Sequence, residues 1–322
     1  MGSEWLHVQL QDVCEITSSK RIFASEYKTE GIPFFRGKEI IEKHKGKSVS
    51  TELFIEESRY REIKRKFGTP EKGDILLTSV GTLGIPYLIS DEQFYFKDGN
   101  LTWFRNFKTT DSQFIYYWLL CHFAQDQIRN KCIGSTQKAL TIETLLQFDI
   151  QLPSQKEQRA IAATLSCLDD KIELNTRIIA NLEAQAQAIF DEWFMGLEVD
   201  SPYGTLSDFA FINPPRTLAR GQLATYIEMS DLSTSISFPN NWVENTPYNG
   251  GMRFLNGDTI IARITPCLEN GKTAYISCLA DGTVGFGSTE YIVLSAKAGY
   301  CNEMLYFLAR NIGFRDYAIH NM

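Results

Sequence analysis

The strongest constraint on the fold of this chain is a heptad repeat between residues 153 and 196. Its positions follow one another at alternating intervals of four and three residues, an average period of 3.5 residues. A 3.5-residue period kept over several heptads is typical of a coiled-coil seam rather than of a helix that lies on a globular core. The ten seam positions are Ile161, Leu165, Leu168, Ile172, Asn175, Ile179, Leu182, Ala186, Ile189 and Trp193. All of them are apolar except Asn175. We therefore predict a long coiled-coil helix that needs a partner along this seam.

Both ends of the predicted helix carry termination signals. Ser154 and Glu157 have the S-x-x-E spacing of a capping box directly after Pro153, and Gly196 can adopt the left-handed conformation that ends many helices. At 1.5 Å per residue such a helix would be about 60 Å long. We predict that residues 153–196 form a spacer helix between two other parts of the chain.

Length and charge fit two globular parts around this helix. A chain of 322 residues with 43% hydrophobic content can bury more than one core. Of the net charge of −7, residues 151–200 contribute −5, with 4 Lys+Arg against 9 Asp+Glu. Residues 1–150 carry 20 of each sign, and residues 201–322 carry 8 Lys+Arg against 10 Asp+Glu. The flanking parts are therefore close to neutral, and the net charge does not exclude binding to nucleic acid.

Cysteine usage and hydropathy suggest where the chain acts. The seven cysteines are scattered, with no C-x-x-C pair and no cluster with the four histidines, so we predict neither a disulfide framework nor a metal site. A reducing, cytoplasmic environment fits this usage best. No apolar run approaches the length that spans a bilayer, so we expect no membrane association.

The segments before and after the predicted helix repeat the same motifs in the same order. Four pairs of motifs, separated by 184 to 196 residues, are Leu10–Val13 with Leu206–Phe209, Gly37–Ile40 with Met229–Leu232, Lys72–Leu77 with Asn256–Ile261, and Phe114–Trp118 with Met304–Leu308. Four echoes in one order indicate an internal duplication. Short strands, glycine-rich turns and amphipathic helices predict an α+β fold, with strand-rich domains over residues 1–152 and 197–322. By the same symmetry, the counterpart of Gly134 would fall near residue 324, so we expect this sequence to lack the end of the second domain and a second long helix.

The sequence contains no motif that supports catalysis by this chain. It lacks the phosphate-binding loop G-x-x-x-x-G-K-[ST], and its acidic residues form no nuclease-like cluster. Asn213-Pro214-Pro215 resembles the start of the N-P-P-aromatic motif of amino methyltransferases, but Arg216 stands where the aromatic residue would be. A Pro-Pro turn before a basic loop is the simpler interpretation. We predict no catalytic residue and no metal ligand.

Cations, amides and hydroxyls in predicted loops are candidates for contact with DNA. Such groups hold phosphates, and Arg, Asn and Gln also read base edges. In the first domain the candidates are Ser19, Lys20, Arg21, Arg36, Lys38, Lys45, Lys47, Gly134, Ser135, Thr136, Gln137 and Lys138. In the second domain they are Arg216, Arg220, Arg263, Asn270, Lys272 and Ser288. Each run taken alone is also typical of a solvated surface, and their recurrence on both sides of a spacer favours DNA binding.

The order of domain, capped helix and repeated domain resembles the specificity (S) subunit of type I restriction–modification systems. The run Leu152–Ile161 has the L-P-x-x-x-E-Q-x-x-I pattern of that family's first conserved region, and Leu168–Ile172 matches its L-D-x-x-I sequel. Gly134–Lys138 is similar to the G-[ST]-[ST]-x-[KR] segment that leads out of each target-recognition domain. Arg263–Lys272 and Gly285–Glu290 look like a recurrent second-domain sequence. The resemblance covers the whole chain but departs from the family in the absence of a second conserved region.

The resemblance implies a non-catalytic DNA specificity subunit. Two target-recognition domains would each read one half of a bipartite, asymmetric site in double-stranded DNA, while the conserved helix sets their spacing and recruits methylation (M) subunits. The M subunits would carry S-adenosylmethionine and methylate adenine, and restriction (R) subunits with ATP and Mg would join for cleavage, so this chain itself would need no cofactor. Without a second conserved helix, the exposed seam would pair with the same helix of another copy in an antiparallel homodimer.

Two other functions compete with this interpretation. Asn213-Pro214-Pro215 motivates a self-contained DNA adenine methyltransferase, which would bind S-adenosylmethionine in isolation. The negative charge and the dominant heptad motivate a coiled-coil scaffold with two protein-binding domains, which would enrich no bipartite motif from random DNA.

The single polar residue of the heptad yields a first prediction. A polar side chain at a buried seam position costs stability but fixes the register of the paired helices. We expect Asn175→Leu to raise the melting temperature, followed by circular dichroism, and to permit mispaired helices. An unchanged melting temperature would place Asn175 at the edge of the seam instead.

Overall fold

In the computed structural model of the protein, residues 5–46, 49–132, 138–195 and 204–320 are described. The chain divides into two compact units, residues 1–173 (unit 1) and 174–322 (unit 2), and each contains one end of a long helix. Both units combine small sheets with helices, which confirms the predicted α+β fold with strand-rich domains on either side of a long helix.

Unit 1 contains ten strands and the first helices among its described residues. The strands are β1 (Leu6–Gln9), β2 (Glu15–Thr17), β3 (Tyr27–Lys28), β4 (Ile32–Phe35), β5 (Phe54–Ile55), β6 (Ile75–Thr78), β7 (Pro86–Leu88), β8 (Tyr95–Phe96), β9 (Leu101–Arg105) and β10 (Asp149–Leu152). The helices are α1 (Leu10–Val13), α2 (Gly37–His44), α3 (Glu57–Phe67), α4 (Ser112–Leu120), α5 (His122–Lys131), α6 (Ile142–Leu146) and the start of α7 (Gln155–Phe190).

Two four-stranded sheets organise unit 1. One has the order β2-β9-β6-β7 with antiparallel neighbours, and the other has the order β3-β5-β4-β8, in which β4 and β8 run parallel. Strand β6 is buried along its whole length, as expected for an apolar run covered on both faces. The main core lies between the first sheet and helices α1, α4, α5 and α6, and β1 pairs with β10.

Unit 2 repeats this arrangement. Its elements after α7 are α8 (Leu206–Phe209), β11 (Ala210–Ile212), β12 (Leu223–Ile227), β13 (Val243–Pro247), β14 (Arg253–Phe254), β15 (Thr259–Ala262), β16 (Thr273–Tyr275), β17 (Gly285–Gly287), β18 (Tyr291–Ala296), α9 (Asn302–Arg310) and α10 (Ile312–His320). The sheet β11-β18-β15-β16 has the antiparallel order of β2-β9-β6-β7. In the other sheet, β13-β12-β17-β14, strands β12 and β17 run parallel, as β4 and β8 do.

The duplication inferred from sequence is therefore confirmed at the level of strand topology. Corresponding elements lie in the same order, from α1 and α8 at the start to α4 and α9 near the end. Asp74 and Asp258 even close the same turn, since each carboxylate accepts a hydrogen bond from a backbone N–H three residues earlier, at 3.0 Å from Glu71 and 2.8 Å from Leu255.

Helix α7 begins as the sequence predicts. The Ser154 N–H donates to the Glu157 carboxylate at 3.0 Å, and the Glu157 N–H donates to Ser154 Oγ at 3.4 Å, which is the reciprocal pattern of a capping box. The helix continues to Phe190 and is followed by a π-helical turn over Asp191–Met195. The predicted stop at Gly196 lies outside the described residues.

Each end of α7 is anchored in its own unit. In unit 1, Gln158 is buried and accepts a hydrogen bond from the Asp111 N–H at 3.0 Å, and the Tyr117 hydroxyl donates to Asp169 at 2.7 Å. In unit 2, the buried Phe190 ring lies 6.5 Å from that of Phe307. Between the anchors most of the seam is exposed, and Leu168 and Leu182 are 54% and 59% exposed. Leu165 is 36% exposed, and Ile179 is half-buried. The other exposed seam residues are Ile172, Asn175, Ile189 and Trp193.

Candidate nucleic-acid interface

In unit 1, the loops that follow β2, β4, β6 and β8 lie at one end of the two sheets. Strands β2 and β6 both pair antiparallel with β9, so they run in the same direction, and β4 runs parallel to β8. The Ser19 hydroxyl donates to the Phe96 carbonyl at 2.8 Å, and the Ser79 N–H donates to the Asn100 carbonyl at 2.9 Å. These bonds join the loops after β2, β6 and β8, and the Lys97 N–H joins the end of β4 to them by donating to the Phe35 carbonyl at 2.8 Å. We call residues 18–21, 36–38, 79–84 and 97–100 the loop end of unit 1.

Lys138 also lies at the loop end. Its neighbour Ala139 forms an antiparallel bridge with Val80, and the Leu140 N–H donates to the Ser79 carbonyl at 2.9 Å. The exposed Lys138 therefore follows the backbone of the loop after β6. The other candidates of its run, Gly134, Ser135, Thr136 and Gln137, lie outside the described residues, as does Lys47.

A surface depression of about 580 Å³ lies at the loop end. Arginine, lysine, hydroxyl and amide groups share its rim, and its polar and charged residues include Arg36, Lys38, Glu42, Lys45, Thr82 and Asn100. Three of the predicted cations, Arg36, Lys38 and Lys45, are thus brought to one place by the fold. Lys38 Nζ lies 3.7 Å from Glu42, and Lys45 is exposed.

Among the cations of the depression, Arg36 is held by three hydrogen bonds to one carboxylate. Its Nη2 donates to Glu39 Oε1 at 2.8 Å, its Nε donates to Glu39 Oε2 at 3.4 Å, and its backbone N–H donates to Oε2 at 2.7 Å. Glu39 is fully buried, whereas the Arg36 side chain is 35% exposed. Burial raises the pKa of the Glu39 carboxyl, but the hydrogen bonds from Arg36 outweigh it and hold that pKa below its usual value. The pair therefore remains ionised at neutral pH, with the guanidinium held in one orientation.

The candidates in the loop after β2 have mixed roles. Ser19 is buried and its hydroxyl is used by the fold, so it is not presented to a ligand. Lys20 and Arg21 are exposed, and Arg21 Nε lies 2.9 Å from Asp98. Lys20 Nζ lies 4.7 Å from the centre of the Phe67 ring, a cation–π contact that orients it without neutralising it.

Unit 2 has an equivalent loop end, made by the loops after β11, β12, β15 and β17 (residues 213–222, 228–231, 263–272 and 288–290). The Arg263 N–H donates to the Glu290 carbonyl at 3.0 Å, which is the counterpart of the bond from Ser79 to Asn100. This shared bond, with the pairing of β15 to β18 and of β6 to β9, fixes the correspondence residue by residue.

The predicted contacts Arg263, Lys272 and Ser288 lie together at the loop end of unit 2. Arg263 Nε lies 2.8 Å from Glu290, and the hydrogen bond from the guanidinium holds the pKa of the Glu290 carboxyl below its usual value. Lys272 Nζ donates to the Met229 carbonyl at 3.0 Å, and Ser288 Oγ accepts from the Glu290 N–H at 3.1 Å. Asn270 and Arg220 are exposed in the same set of loops.

Arg216 has a structural role that its position in the sequence does not suggest. Its Nη2 lies 3.1 Å from Asp258 Oδ1 and 3.3 Å from Ser295 Oγ, and the Asp258 side chain is 2% exposed. The guanidinium therefore compensates a buried carboxylate. We withdraw Arg216 from the set of DNA contacts for this reason.

Asn213 is also part of the sheet. Its N–H donates to the Val293 carbonyl at 2.7 Å, and its side-chain carbonyl accepts from the Val293 N–H at 2.8 Å. Both groups extend the pairing of β11 with β18. Asn213 therefore has a structural role at the end of β11.

A family model described as type I restriction modification DNA specificity domain matches residues 2–184 of the chain. The chain belongs to this family.

Relatives and a solved structure agree with the family. A Haemophilus influenzae protein named as a type I restriction enzyme specificity subunit is 30% identical over 173 residues, which are 53% of this chain and 41% of that protein. The MjaIX specificity subunit of Methanocaldococcus jannaschii is 33% identical over 130 residues, 39% of this chain and 29% of that protein. The chain thus spans less than half the length of these curated relatives.

The fold is similar to that of a type I restriction–modification S subunit from M. genitalium. The TM-score is 0.60 at 18% identity, and the similarity covers 99% of this chain and 79% of that one. This likeness concerns the fold alone.

Several residues of the loop ends in this specificity-family chain escaped the sequence analysis. Asn100 and Thr82 in unit 1 and Glu228 in unit 2 carry no motif of their own, and Glu39 and Glu290 lie in quoted motifs without being predicted as contacts. Extending the alignment of the two repeats through the loops would have paired Asn100 with Glu290. A search restricted to cations misses the carboxylates that hold them.

We also searched the described residues of this family member for metal sites, disulfides and membrane-spanning helices. They contain no group of three or more His, Cys, Asp or Glu side chains suited to a metal ion, and the seven cysteines are all free thiols. None of the helices searched is both long and apolar enough to cross a membrane.

Substitutions of Arg216 and Arg220 test whether Arg216 has a structural role. Arg216→Met leaves the Asp258 carboxylate buried without its cation, so we expect the free energy of unfolding to fall by about 3 kcal/mol. Arg220→Met removes an exposed charge from the same loop and should change it by less than about 0.5 kcal/mol. Urea denaturation of the full chain measures both, and equal losses would contradict the structural role of Arg216.

Proposed function

We propose that this chain is a non-catalytic DNA specificity subunit whose two loop ends each read one half of a bipartite site in double-stranded DNA. The observation that carries the proposal is the duplication of one loop end, with exposed cations and amides, in a chain of the type I specificity family. Lysine and arginine groups at such an end would hold phosphates, and arginine or amide groups would read bases in the major groove.

Two reading units on one chain have an energetic advantage. Each unit has a small set of candidate base contacts, so each half-site alone would be bound weakly. When the units are linked by a helix, the second contact becomes intramolecular and gains a high effective concentration. We infer that α7 sets the number of unread base pairs between the half-sites.

Partners would supply the chemistry that this chain lacks. We propose that M subunits bind the chain through the conserved helix region and bring S-adenosylmethionine, and that R subunits join them with ATP and Mg. We expect the assembly to act on DNA in the cytoplasm. The methyltransferase alternative loses its motivation, because Asn213 is engaged in the sheet.

The exposed seam of α7 supports a further proposal, an antiparallel homodimer. Leu168, Leu182, Ile189 and Trp193 are between 48% and 66% exposed in the single chain. Burying apolar surface is worth about 25 cal/mol per Å², so pairing two such seams would be strongly favourable. An antiparallel arrangement is self-complementary and closes as a dimer.

Selection from a random duplex library tests the DNA-reading proposal. The chain together with M subunits should enrich one bipartite motif with two short specified halves and a fixed gap. A chain with seven residues inserted after Leu174, which adds about 10 Å of helix, should enrich the same halves with a changed gap, since one base pair rises 3.4 Å. Enrichment of no bipartite motif by the wild-type complex would support the scaffold alternative instead.

Light scattering tests the homodimer. We expect a mass that rises from monomer to dimer with concentration, and a monomer mass throughout for Leu168→Glu/Leu182→Glu. Ala184→Glu is the matched control, because position 184 lies on the opposite side of the helix from the seam and is exposed. A wild-type mass that stays monomeric at every concentration would rule the dimer out.

A further inference from the structure

The two loop ends place opposite charges at one corresponding position. We propose that Arg36 is a specificity-determining residue that reads a guanine in the half-site of unit 1, and that Glu228 reads an amino-bearing base at the corresponding position of the half-site of unit 2. The inference rests on the proposed function, which it extends from the type of ligand to the identity of individual bases.

The orientation of Arg36 suits base reading. The buried Glu39 contacts Nε and Nη2, which is one edge of the planar guanidinium. Nη1 has no partner among the residues that the structure describes, so the terminal edge formed by Nη1 and the second hydrogen of Nη2 remains available. Two parallel N–H groups on that edge match the N7 and O6 acceptors of guanine in the major groove.

Fixing the guanidinium in advance increases discrimination. An unrestrained arginine loses side-chain entropy on binding and adapts to phosphates as readily as to bases, whereas an arginine held by a buried carboxylate has already lost that freedom. Lys45 and Lys38 lie at the rim of the same depression and carry positive charge toward the phosphates. Asn100, which also lines the depression, carries an amide of the kind that reads adenine.

The strand register identifies the counterpart of Arg36 in unit 2. In the parallel pairs, Phe35 lies opposite Phe96 in unit 1, and Ile227 lies opposite Gly287 in unit 2. The next residue after the first strand of each pair is Arg36 in unit 1 and Glu228 in unit 2. Glu228 is exposed.

The carboxylate of Glu228 cannot replace the guanidinium of Arg36 in base reading. It repels the two acceptors of guanine and accepts hydrogen bonds from the amino group of cytosine, or of adenine. The two half-sites are therefore expected to differ at the corresponding base pair. The recognised site would then be asymmetric, because a guanidinium reads one half-site and a carboxylate reads the other.

The fold does not require the ion pair between Arg36 and Glu39 at this place. In unit 2 the corresponding residues are Glu228 and Asp231, which close a short 3-10 turn in place of the start of α2, with the Asp231 N–H donating to the Glu228 carbonyl at 3.0 Å. Two acidic side chains at these positions are therefore compatible with the turn. The guanidinium in unit 1 requires an explanation beyond the closing of the turn, and base reading provides one.

The test compares sequence preferences of full-chain complexes with M subunits, selected from the same random duplex library. Arg36→Gln should lower the preference for one G·C pair in one half-site on the order of 10- to 100-fold, with the other half-site and the gap unchanged. Arg36→Lys keeps the charge but lacks the planar fork, so it should lose the same preference. Glu228→Gln should alter one base pair in the other half-site only.

Two controls keep the result interpretable. Arg36→Gln leaves Glu39 buried without its cation, so Arg36→Gln/Glu39→Gln removes both charges and preserves the fold while losing the guanine preference. Arg61→Gln removes an exposed, ion-paired arginine of α3 and should leave the motif intact.

Each outcome decides a different statement. If the wild-type complex enriches no bipartite motif, the proposed function fails. If it does, and both Arg36 variants retain the wild-type motif or lose affinity for all sequences equally, the assignment of Arg36 is overturned while the proposed function stands. An unchanged motif with Glu228→Gln would overturn the assignment of Glu228.

Discussion

The pairing of one central strand with two neighbours determines where the loops of each unit, and the proposed DNA contacts in them, come together. In unit 1, β9 pairs antiparallel with β2 and β6, and β18 does the same with β11 and β15 in unit 2. Two strands that are antiparallel to the same strand must end on the same side. Loops that are far apart in sequence, such as those at Ser19 and Asn100, therefore meet at one end of each unit and place their polar side chains in one area.

Electrostatic pairing at the loop ends explains why the net charge is a poor guide to function here. Arg36 is held by Glu39, Arg263 by Glu290 and Arg21 by Asp98. Each carboxylate cancels a formal charge, yet each also fixes the direction of a guanidinium. A protein that reads bases benefits from oriented donors more than from excess positive charge, because phosphate attraction alone carries no sequence information. A chain with a net charge of −7 can therefore still be suited to DNA.

Helix α7 leaves apolar side chains exposed to water, which is energetically unfavourable and indicates a binding partner. Its ends are buried at Gln158 in unit 1 and at Phe190 in unit 2, whereas its middle exposes large apolar residues. Apolar side chains in a strict heptad are stable only when another helix covers them. The helix is thus a connector and, in the proposed homodimer, the dimerisation surface.

The sequence by itself determined the features that depend on local patterns. The capping box of Ser154 and Glu157, the long helix with its heptad, the α+β class and the order of the repeat all follow from residues that are close in the chain or recur at a fixed offset. The family resemblance depends on the same residues, and the match over residues 2–184 confirms it.

Only the tertiary structure decided which candidate side chains are presented and which are used internally. Ser19 and Arg216 have the composition of loop contacts, but their partners lie 77 residues away at Phe96 and 42 residues away at Asp258. Arg36 pairs with Glu39 three residues later, Arg263 pairs with Glu290 across the neighbouring strands β15 and β18, and both arginines stay at the surface. Hydrogen bonds between distant segments leave no local pattern, because they depend on which strands pair and in which register. The repeat of Gly37–Ile40 at Met229–Leu232 already aligns Arg36 with Glu228, and the strand pairing places both residues directly after corresponding parallel strands.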